Sequence, residues 1–164
     1  MSYKVRWCVQ SDLDAVAHIE LKSFDYPLEY DDFIMALRRK DHVGLVIQHD
    51  EKTVGFLLYQ VKKSYYNLVS IAVHPDHRNK GAGSFLLSYL KSKHKKVIKF
   101  IISDEKTKAH CFFKKNEFIA VKVIHEHFGP HHDGYEFVYD ADKNSTLYQK
   151  KLKRNIKRGS SELG

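Results

Sequence analysis

The spacing of hydrophobic residues changes several times along the chain, and each change marks a predicted element. Apolar and polar residues alternate near the start, which predicts a strand over residues 3–9. Apolar side chains then recur at helical spacing, which predicts helices over residues 12–23 and 29–40, separated at Pro27. Ser11 is the expected N-cap of the first helix, because a serine oxygen can accept from the first free N–H groups.

The rest of the chain alternates between short apolar runs and helical patterns. The runs predict further strands over residues 43–48, 53–61, 67–73, 97–102, 119–127 and 134–140, and helices over 82–93 and 107–115. The run over 97–102 is almost continuously apolar, which is typical of a strand buried on both faces. This order predicts an α/β (mixed α+β) domain in which helices flank a mixed sheet.

The formal net charge of +8 is concentrated near the C-terminal end. Seven of the basic residues and one glutamate lie from Lys143 onward, so residues 1–142 carry only +2. We therefore predict one domain over residues 1–142 and a basic tail over 143–164, either helical or disordered. RNA, the ribosome or an acidic surface are candidate partners of the tail, whereas the nearly neutral domain gives little support for nucleic-acid binding.

The cysteine content and the length of apolar runs indicate the cellular compartment of the protein. Cys8 and Cys111 are too few for a disulfide framework, and their apolar neighbours predict buried, reduced thiols. No apolar run is long enough for a transmembrane helix, and the first residues lack the apolar core of a secretory signal. These features predict a cytoplasmic protein without a membrane partner.

One segment combines a strand, a glycine-containing turn and a helix. The apolar strand ending near Val73 leads into a turn with Arg78, Lys80, Gly81 and Gly83, and a helix follows at once. Glycines let a ligand approach the backbone closely, and a helix N-terminus presents unpaired N–H groups and a positive dipole end. The segment therefore predicts a phosphate or pyrophosphate site, with added positive charge from the two basic residues. A purely structural turn is the alternative.

Two other phosphate motifs do not fit this segment. A P-loop requires a lysine directly after its last glycine, and Ser84 follows Gly83 here. A dinucleotide fingerprint requires a third glycine and an early βαβ unit, and neither is present.

At these residues the chain resembles the GNAT superfamily of acetyltransferases. The family motif, Arg/Gln-x-x-Gly-x-Gly/Ala after a strand, matches Arg78-Asn-Lys-Gly-Ala-Gly83, and the segment from Ala109 to Phe118 follows in family order. The resemblance covers about residues 3–140. It implies a central mixed, mostly antiparallel sheet of about six to seven strands flanked by about four helices. It also implies acetyl-CoA as co-substrate and N-acetyl transfer to a primary amine.

The resemblance implies a donor site that can be assigned position by position. The backbone of Ile71, Ala72 and Val73 would pair with the pantetheine arm, and the Val73 N–H would polarise the thioester carbonyl. Lys106 stands where many members have an asparagine that contacts pantetheine, and Phe113 where many have a tyrosine near the thioester sulfur. The pyrophosphate would be held by Arg78, Asn79, Lys80, Gly81, Ala82, Gly83 and Ser84.

The groups that would move protons are less clear in this chain. Phe113 cannot donate a proton to the departing thiolate, and Ile101 is inert where protein N-terminal acetyltransferases often carry a base. His127 and Tyr135, within a histidine-rich stretch around the final hairpin, are the candidate catalytic side chains. That stretch lacks cysteine or a carboxylate at ligand spacing, so we expect no metal site. Further candidates for proton transfer are His110, Asp104, Glu105 and Glu20.

Within the superfamily, the chain is similar to the RimI-like enzymes, which acetylate protein N-termini. Residues 19–27 are similar to that group's first helix and proline-containing loop, and residues 127–135 to its last hairpin. The alternative is that both segments only close the sheet. Three hypotheses follow: an N-acetyltransferase for protein or peptide amines, one for small amines such as polyamines, amino acids or drugs, or a non-catalytic acyl-CoA-binding or ribosome-associated module.

Overall fold

A computed structural model describes residues 2–142 and Arg154. These residues form seven strands and four α-helices, and the chain divides into two compact units between His94 and Lys95. The predicted basic tail, apart from Arg154, lies outside the described residues. Within the described part of the chain, no helix combines the length and apolarity needed to cross a membrane.

The first unit is an antiparallel sheet with helices on both faces. Neighbouring strands pair in chain order, and a two-residue turn joins the second and third. Asp50 and Glu51 in that turn have φ values of 50° and 64°, as a type I′ hairpin requires. The elements are β1 (Tyr3–Trp7), α1 (Leu13–Ser23), α2 (Tyr30–Arg38), β2 (His42–His49), β3 (Lys52–Val61), β4 (Tyr66–Val73) and α3 (Ala82–Lys91).

Side-chain alternation along the strands builds two apolar layers in this unit. Helices α1 and α2 pack on one face, where Val46, Phe56 and Leu58 meet side chains such as Val16, Ile19 and Phe33. Helix α3 lies on the other face, since the Tyr3 ring of β1 contacts Phe85 of α3 at 5.7 Å between ring centroids. Other buried residues of this unit, which do not belong to the layer packed against α1 and α2, include Leu45, Ile47, Leu57, Leu86, Leu87 and Leu90.

The expected N-cap of α1 is corrected by the structure. Residues Gln10–Asp12 form a short 3₁₀ turn, and α1 begins after Asp12 rather than after Ser11. Asp12 is 6% exposed and accepts two hydrogen bonds of 2.7 Å from the Arg6 guanidinium and one of 2.8 Å from the Val9 N–H. The hydrogen bond from Arg6 lowers the pKa of Asp12.

The Asp12→Asn variant is expected to be about 2 kcal/mol less stable than the wild type at pH 7, because hydrogen bonds to charged groups contribute about 1.5–3 kcal/mol. Since the folded-state pKa of Asp12 lies below its unfolded value, this contribution is present above about pH 4 and is lost as the pH falls through the folded pKa. Urea unfolding at pH 7 and pH 3 measures the difference. A difference of the same size at both pH values would contradict the charge-based explanation.

The second unit is a three-stranded antiparallel arrangement with one helix. Its elements are β5 (Val97–Ser103), α4 (Thr107–Lys115), β6 (Ile119–Ile124) and β7 (Gly134–Asp140). Strand β7 pairs with both β5 and β6 and so lies between them. The buried side chains of this unit include Ile98, Ile102, Phe113, Phe118 and Phe137. The predicted fold class, a mixed α/β structure with mostly antiparallel pairing and four helices, is confirmed.

Other details of the sequence analysis are also wrong. Strand β6 ends at Ile124 rather than at residue 127, because turns follow it. Strand β5 is fully buried only at Ile98 and Ile102, so it is not buried on both faces along its length. Cys111 is exposed, while Cys8 is half-buried, and burial raises the pKa of the Cys8 thiol to about 11.

Candidate active site

Strand β4 directs alternate backbone groups away from its partner β3. The His74 N–H donates to the Val54 carbonyl at 2.8 Å, which continues the β3–β4 ladder just past Val73. Bonded and non-bonded pairs alternate in an antiparallel ladder, and Val73 pairs with Gly55 in this register. The N–H and C=O groups of Ile71 and Val73 therefore point away from β3. Groups directed in this way can pair with an extended ligand arm.

The turn between β4 and α3 contains two residues in the left-handed region. Asn79 has a φ of 60° and Gly81, the N-cap of α3, has a φ of 88°. A Cβ at Gly81 would meet no atom within 4 Å, so the positive φ, not crowding, favours glycine there. The Phe85 N–H donates to the Gly81 carbonyl at 2.9 Å as α3 begins. The N–H groups at the start of a helix precede the first bond of this kind and point out of its N-terminal end.

Arg78 connects the turn to both β4 and α1. Its Nε donates to the Val73 carbonyl at 2.9 Å, and its Nη2 donates to the Ser23 hydroxyl oxygen at 3.0 Å. Ser23 in turn donates to the Ile19 carbonyl at 2.6 Å. The guanidinium charge is therefore held at a defined place beside the end of β4.

Lys80 is fixed by contacts with two different segments. Its Nζ donates to the Asp76 carbonyl at 3.3 Å, and the Tyr3 hydroxyl donates to the Lys80 carbonyl at 2.8 Å. The Tyr3 ring also contacts Phe85 of α3. Residues 78–81 are all exposed, so a ligand in solution can reach the braced turn.

The structure places the predicted donor residues of the first unit together. Residues 71–73 end strand β4, and residues 78–84 form the turn and the first residues of α3. Sequence reasoning missed Ser23 and Tyr3, which brace this turn from positions 55 and 77 residues away in the chain. No local pattern marks either residue, because their partners are distant in sequence.

Lys106 and Phe113 lie in the second unit. Lys106 is exposed and is the N-cap of α4. Phe113 is 2% exposed, and its ring lies 5.0–5.2 Å, between centroids, from the rings of Phe100, Phe112 and Phe118. Phe113 thus has a clear packing role. The roles of both residues toward acetyl-CoA stay predictions.

His127 and Tyr135 lie on opposite faces of β7. A Cβ built at Gly134 would be 3.0 Å from the His127 Cβ, so His127 lies on the face of Gly134. Tyr135 is the next residue and points to the other face, where its ring contacts His110 of α4 at 5.2 Å between centroids. The structure therefore does not bring the two candidate catalytic side chains together.

Two other histidines of the final hairpin lie near carboxylates. His132 Nδ1 lies 3.1 Å from Glu105 Oε1, and His125 Nδ1 lies 3.1 Å from Asp133 Oδ1. Within residues 2–142, no three histidine, cysteine or acidic side chains are grouped so as to hold a metal ion.

Comparisons with known proteins agree with this geometry. Residues 40–120 match the family model described as an acetyltransferase (GNAT) domain. These residues include strands β2 to β5, the braced turn, and helices α3 and α4. No curated protein sequence matches the chain.

Several solved structures share the fold. The ribosomal-protein-S18-alanine N-acetyltransferase from Escherichia coli superposes with a TM-score of 0.76 at 18% identity, covering 85% of this chain and 94% of its own. Arabidopsis thaliana NAA60, solved with a bisubstrate analogue, gives a TM-score of 0.71 at 18% identity, with coverage of 85% and 98%. A spermidine N-acetyltransferase from Vibrio cholerae gives 0.73 at 15% identity, with coverage of 88% and 97%. With the domain match over residues 40–120 and this shared fold, the chain belongs to the GNAT superfamily of acetyltransferases.

Proposed function

We propose that this chain is an acetyl-CoA-dependent N-acetyltransferase that acts on a primary amine of a protein or peptide, by direct attack in a ternary complex. The support comes chiefly from one continuous segment, in which the outward backbone groups at the end of β4, the left-handed turn at Asn79 and Gly81, and the start of α3 follow one another. This segment offers a strand edge for an amide-containing arm and an anion site directly after it.

Acetyl-CoA has chemical groups that fit these two features. Its pantetheine arm carries amides that can pair with the outward N–H and C=O groups of Ile71, whereas the Val73 carbonyl already accepts from Arg78. Its pyrophosphate would accept from N–H groups at the start of α3, where the dipole and the charges of Arg78 and Lys80 favour an anion. Lys106 is proposed to contact pantetheine and Phe113 to lie near the thioester sulfur.

The Val73 N–H is proposed to stabilise the developing oxyanion. This N–H points away from β3, on the same edge as the proposed pantetheine pairing, so the thioester carbonyl can reach it. The neighbouring Val73 carbonyl is already held by Arg78 at 2.9 Å, which fixes the end of the strand before a ligand arrives. A preorganised donor of this kind contributes about 10²–10³-fold to kcat.

The acidity of the acceptor favours an α-amino group. Attack requires a neutral amine, and an α-amino group has a pKa near 8, against about 10.4 for an alkyl amine. At neutral pH, the neutral fraction of an α-amine is therefore larger by about two orders of magnitude. Phe113 and Ile101 occupy the positions where the family usually has an acid and a base. An acceptor with a larger neutral fraction depends less on a catalytic base. This chemistry supports a peptide N-terminus over a polyamine.

Acetyl-CoA turnover against two acceptor panels tests this proposal. Release of free thiol is measured with peptides that differ in their first residues and with small amines including spermidine. We expect turnover that requires a free peptide α-amine. Faster turnover of spermidine than of any peptide would support the small-amine alternative. Tight acetyl-CoA binding without turnover of either panel would instead support a non-catalytic module.

Replacement of the two candidate proton-transfer residues is expected to have unequal effects. His127 and Tyr135 lie on opposite faces of β7, so we expect only one of them to reach the reacting amine. We expect only one of the His127→Ala and Tyr135→Phe variants to lower kcat, by about 10²-fold. Equal, large losses in both variants would contradict this assignment of faces.

We further propose that residues 1–142 form the acetyltransferase domain. Truncation after Asp142 is expected to leave the Kd for acetyl-CoA within about twofold of the full chain, because the proposed donor residues all precede that point. Isothermal titration calorimetry on both proteins measures this. A clear loss of affinity would assign the segment from residue 143 onward a part in the domain.

A further inference from the structure

Helix α1 buries a carboxylate near its C-terminal end. Glu20 is 3% exposed. Its Oε1 accepts from the Leu28 N–H at 3.1 Å, and its Oε2 accepts from the Ser70 hydroxyl at 2.9 Å. Burial raises the pKa of Glu20, the two hydrogen bonds oppose this rise, and no cation contributes.

Stability alone does not explain a carboxylate at this position. Its neighbours on the buried face of α1, Val16 and Ile19, are apolar members of the core. An ionised carboxylate with two donors and no cation is costly to bury, and an apolar side chain of similar size avoids that cost. Groups of this kind are often retained for function.

The two groups that donate hydrogen bonds to Glu20 belong to different segments. Leu28 lies in the connector, residues 24–29, which joins α1 to α2. Ser70 lies on β4, three residues before Val73, whose outward N–H belongs to the proposed donor site. Glu20 thus links the connector to the donor strand through two hydrogen bonds.

The same end of α1 also contacts the turn between β4 and α3. The connector carries an exposed aromatic residue. Ser23, one turn beyond Glu20, accepts from Arg78. The Tyr26 side chain in the connector is 97% exposed, so a ligand can reach it. An accessible tyrosine on a segment tied to the proposed donor strand can contact a second substrate through both its ring and its hydroxyl.

We infer that Glu20 is a positioning residue, which holds the connector against β4 so that an acceptor resting on the connector is aligned with the Val73 edge. This inference rests on the proposed N-acetyltransferase function. Glu20 acts through Leu28 and Ser70 and does not itself touch the reacting atoms. Its removal should therefore affect the acceptor while leaving acetyl-CoA binding in place.

Three variants and a matched control test this role. Glu20→Ala removes both hydrogen bonds, Ser70→Ala removes one, and Glu20→Gln keeps an oxygen for Leu28 and an amide for the Ser70 hydroxyl. Asp14→Ala removes an exposed carboxylate from the same helix and serves as the control. We expect the acceptor KM to rise at least about tenfold in Glu20→Ala and about threefold in Ser70→Ala. The acetyl-CoA Kd should stay within about twofold throughout, and Glu20→Gln should restore the KM to near wild type.

Hydrogen exchange supplies a second readout that needs no acceptor. The Leu28 amide should exchange at least about tenfold faster in Glu20→Ala than in the wild type, and Glu20→Gln should restore its protection. The β4 amides should keep their protection in all variants, which separates a loosened connector from general unfolding.

The outcomes separate this inference from the proposed function. Wild-type turnover with an unchanged acceptor KM in Glu20→Ala would overturn the positioning role alone. A parallel rise of acceptor KM and acetyl-CoA Kd, or unchanged exchange at Leu28, would also overturn it. Absence of wild-type turnover would overturn the proposed function, and the alignment role would fall with it.

Discussion

The Gly83→Glu variant is expected to lose acetyl-CoA binding, with a Kd at least about 100-fold higher than that of the wild type, while keeping its fold. Gly83 is the second residue of α3 and lies within the proposed pyrophosphate site. A glutamate there would occupy space at the helix N-terminus and place a negative charge beside the phosphates. Repulsion would replace the attraction of the helix dipole, and about 3 kcal/mol of lost affinity corresponds to the expected change.

We expect the stability of the folded Gly83→Glu protein to be unchanged or higher, although its affinity for acetyl-CoA falls. Glutamate has a higher helix propensity than glycine, and an acidic side chain in the first helical turn is favourable. The Tm of Gly83→Glu should therefore equal or exceed that of the wild type, so a loss of binding cannot be attributed to unfolding. Calorimetric titration with acetyl-CoA and thermal unfolding together measure both effects.

A second glutamate on the same helix provides the control. Ser88 is exposed on α3, and Ser88→Glu introduces the same charge one to two turns away from the braced turn. We expect its Kd for acetyl-CoA to stay within about twofold of the wild type. Unchanged affinity in a folded Gly83→Glu protein would show that the pyrophosphate lies elsewhere.

The second large effect is expected from Arg78→Ala, which should raise the Kd for acetyl-CoA by about 10–100-fold. The variant removes a positive charge from the turn and also breaks the hydrogen bonds to the Val73 carbonyl and the Ser23 hydroxyl. Hydrogen bonds of charged groups contribute about 1.5–3 kcal/mol, which is the range that this loss of affinity represents. Part of the effect is indirect, because the end of β4 loses its support.

Two comparisons separate charge from geometry at Arg78. Arg78→Lys keeps the charge, but a single ammonium group cannot reproduce the fork with which the guanidinium contacts both partners. It should therefore recover only part of the affinity. Arg39→Ala removes the same charge from an exposed position at the end of α2 and should leave the Kd unchanged. Full recovery in Arg78→Lys would mean that charge alone matters.

The donor and acceptor parts of the proposed reaction rest on different parts of the chain. The donor segment is continuous, from Ile71 to Ser84, and its proposed contacts are largely made by backbone groups. Backbone groups can make these contacts whatever the side chains are. The presence of Phe113 and Ile101, where the family usually has other residues, therefore does not weaken the proposal for the donor segment. The acceptor part depends on side chains, and there Glu20, the exposed Tyr26 and one face of β7 are the features to test.

Local patterns alone determined most of the elements. The strand predicted over 67–73 is Tyr66–Val73, and the helix predicted over 107–115 has those bounds. The donor turn was predictable for the same reason, because strand, turn and helix are adjacent in sequence and each has its own residue preferences. Ser11 was wrong as the N-cap since Asp12 forms an ion pair with Arg6 on another element, and no local pattern reports such a partner.

Tertiary structure decided the contacts that join distant segments. The Ser23 hydroxyl meets Arg78, the Tyr3 hydroxyl meets the Lys80 carbonyl, and Glu20 meets Ser70, over separations of 55, 77 and 50 residues. His127 and Tyr135, close in sequence, were separated by the alternation of side chains across β7. Such relations depend on strand register and on how helices pack on the sheet, and these are set by the burial of the whole core. The sequence by itself therefore determined the strand, turn and helix of the proposed donor segment, and only the folded chain decided which distant residues brace that segment and on which face each candidate acceptor-side residue lies.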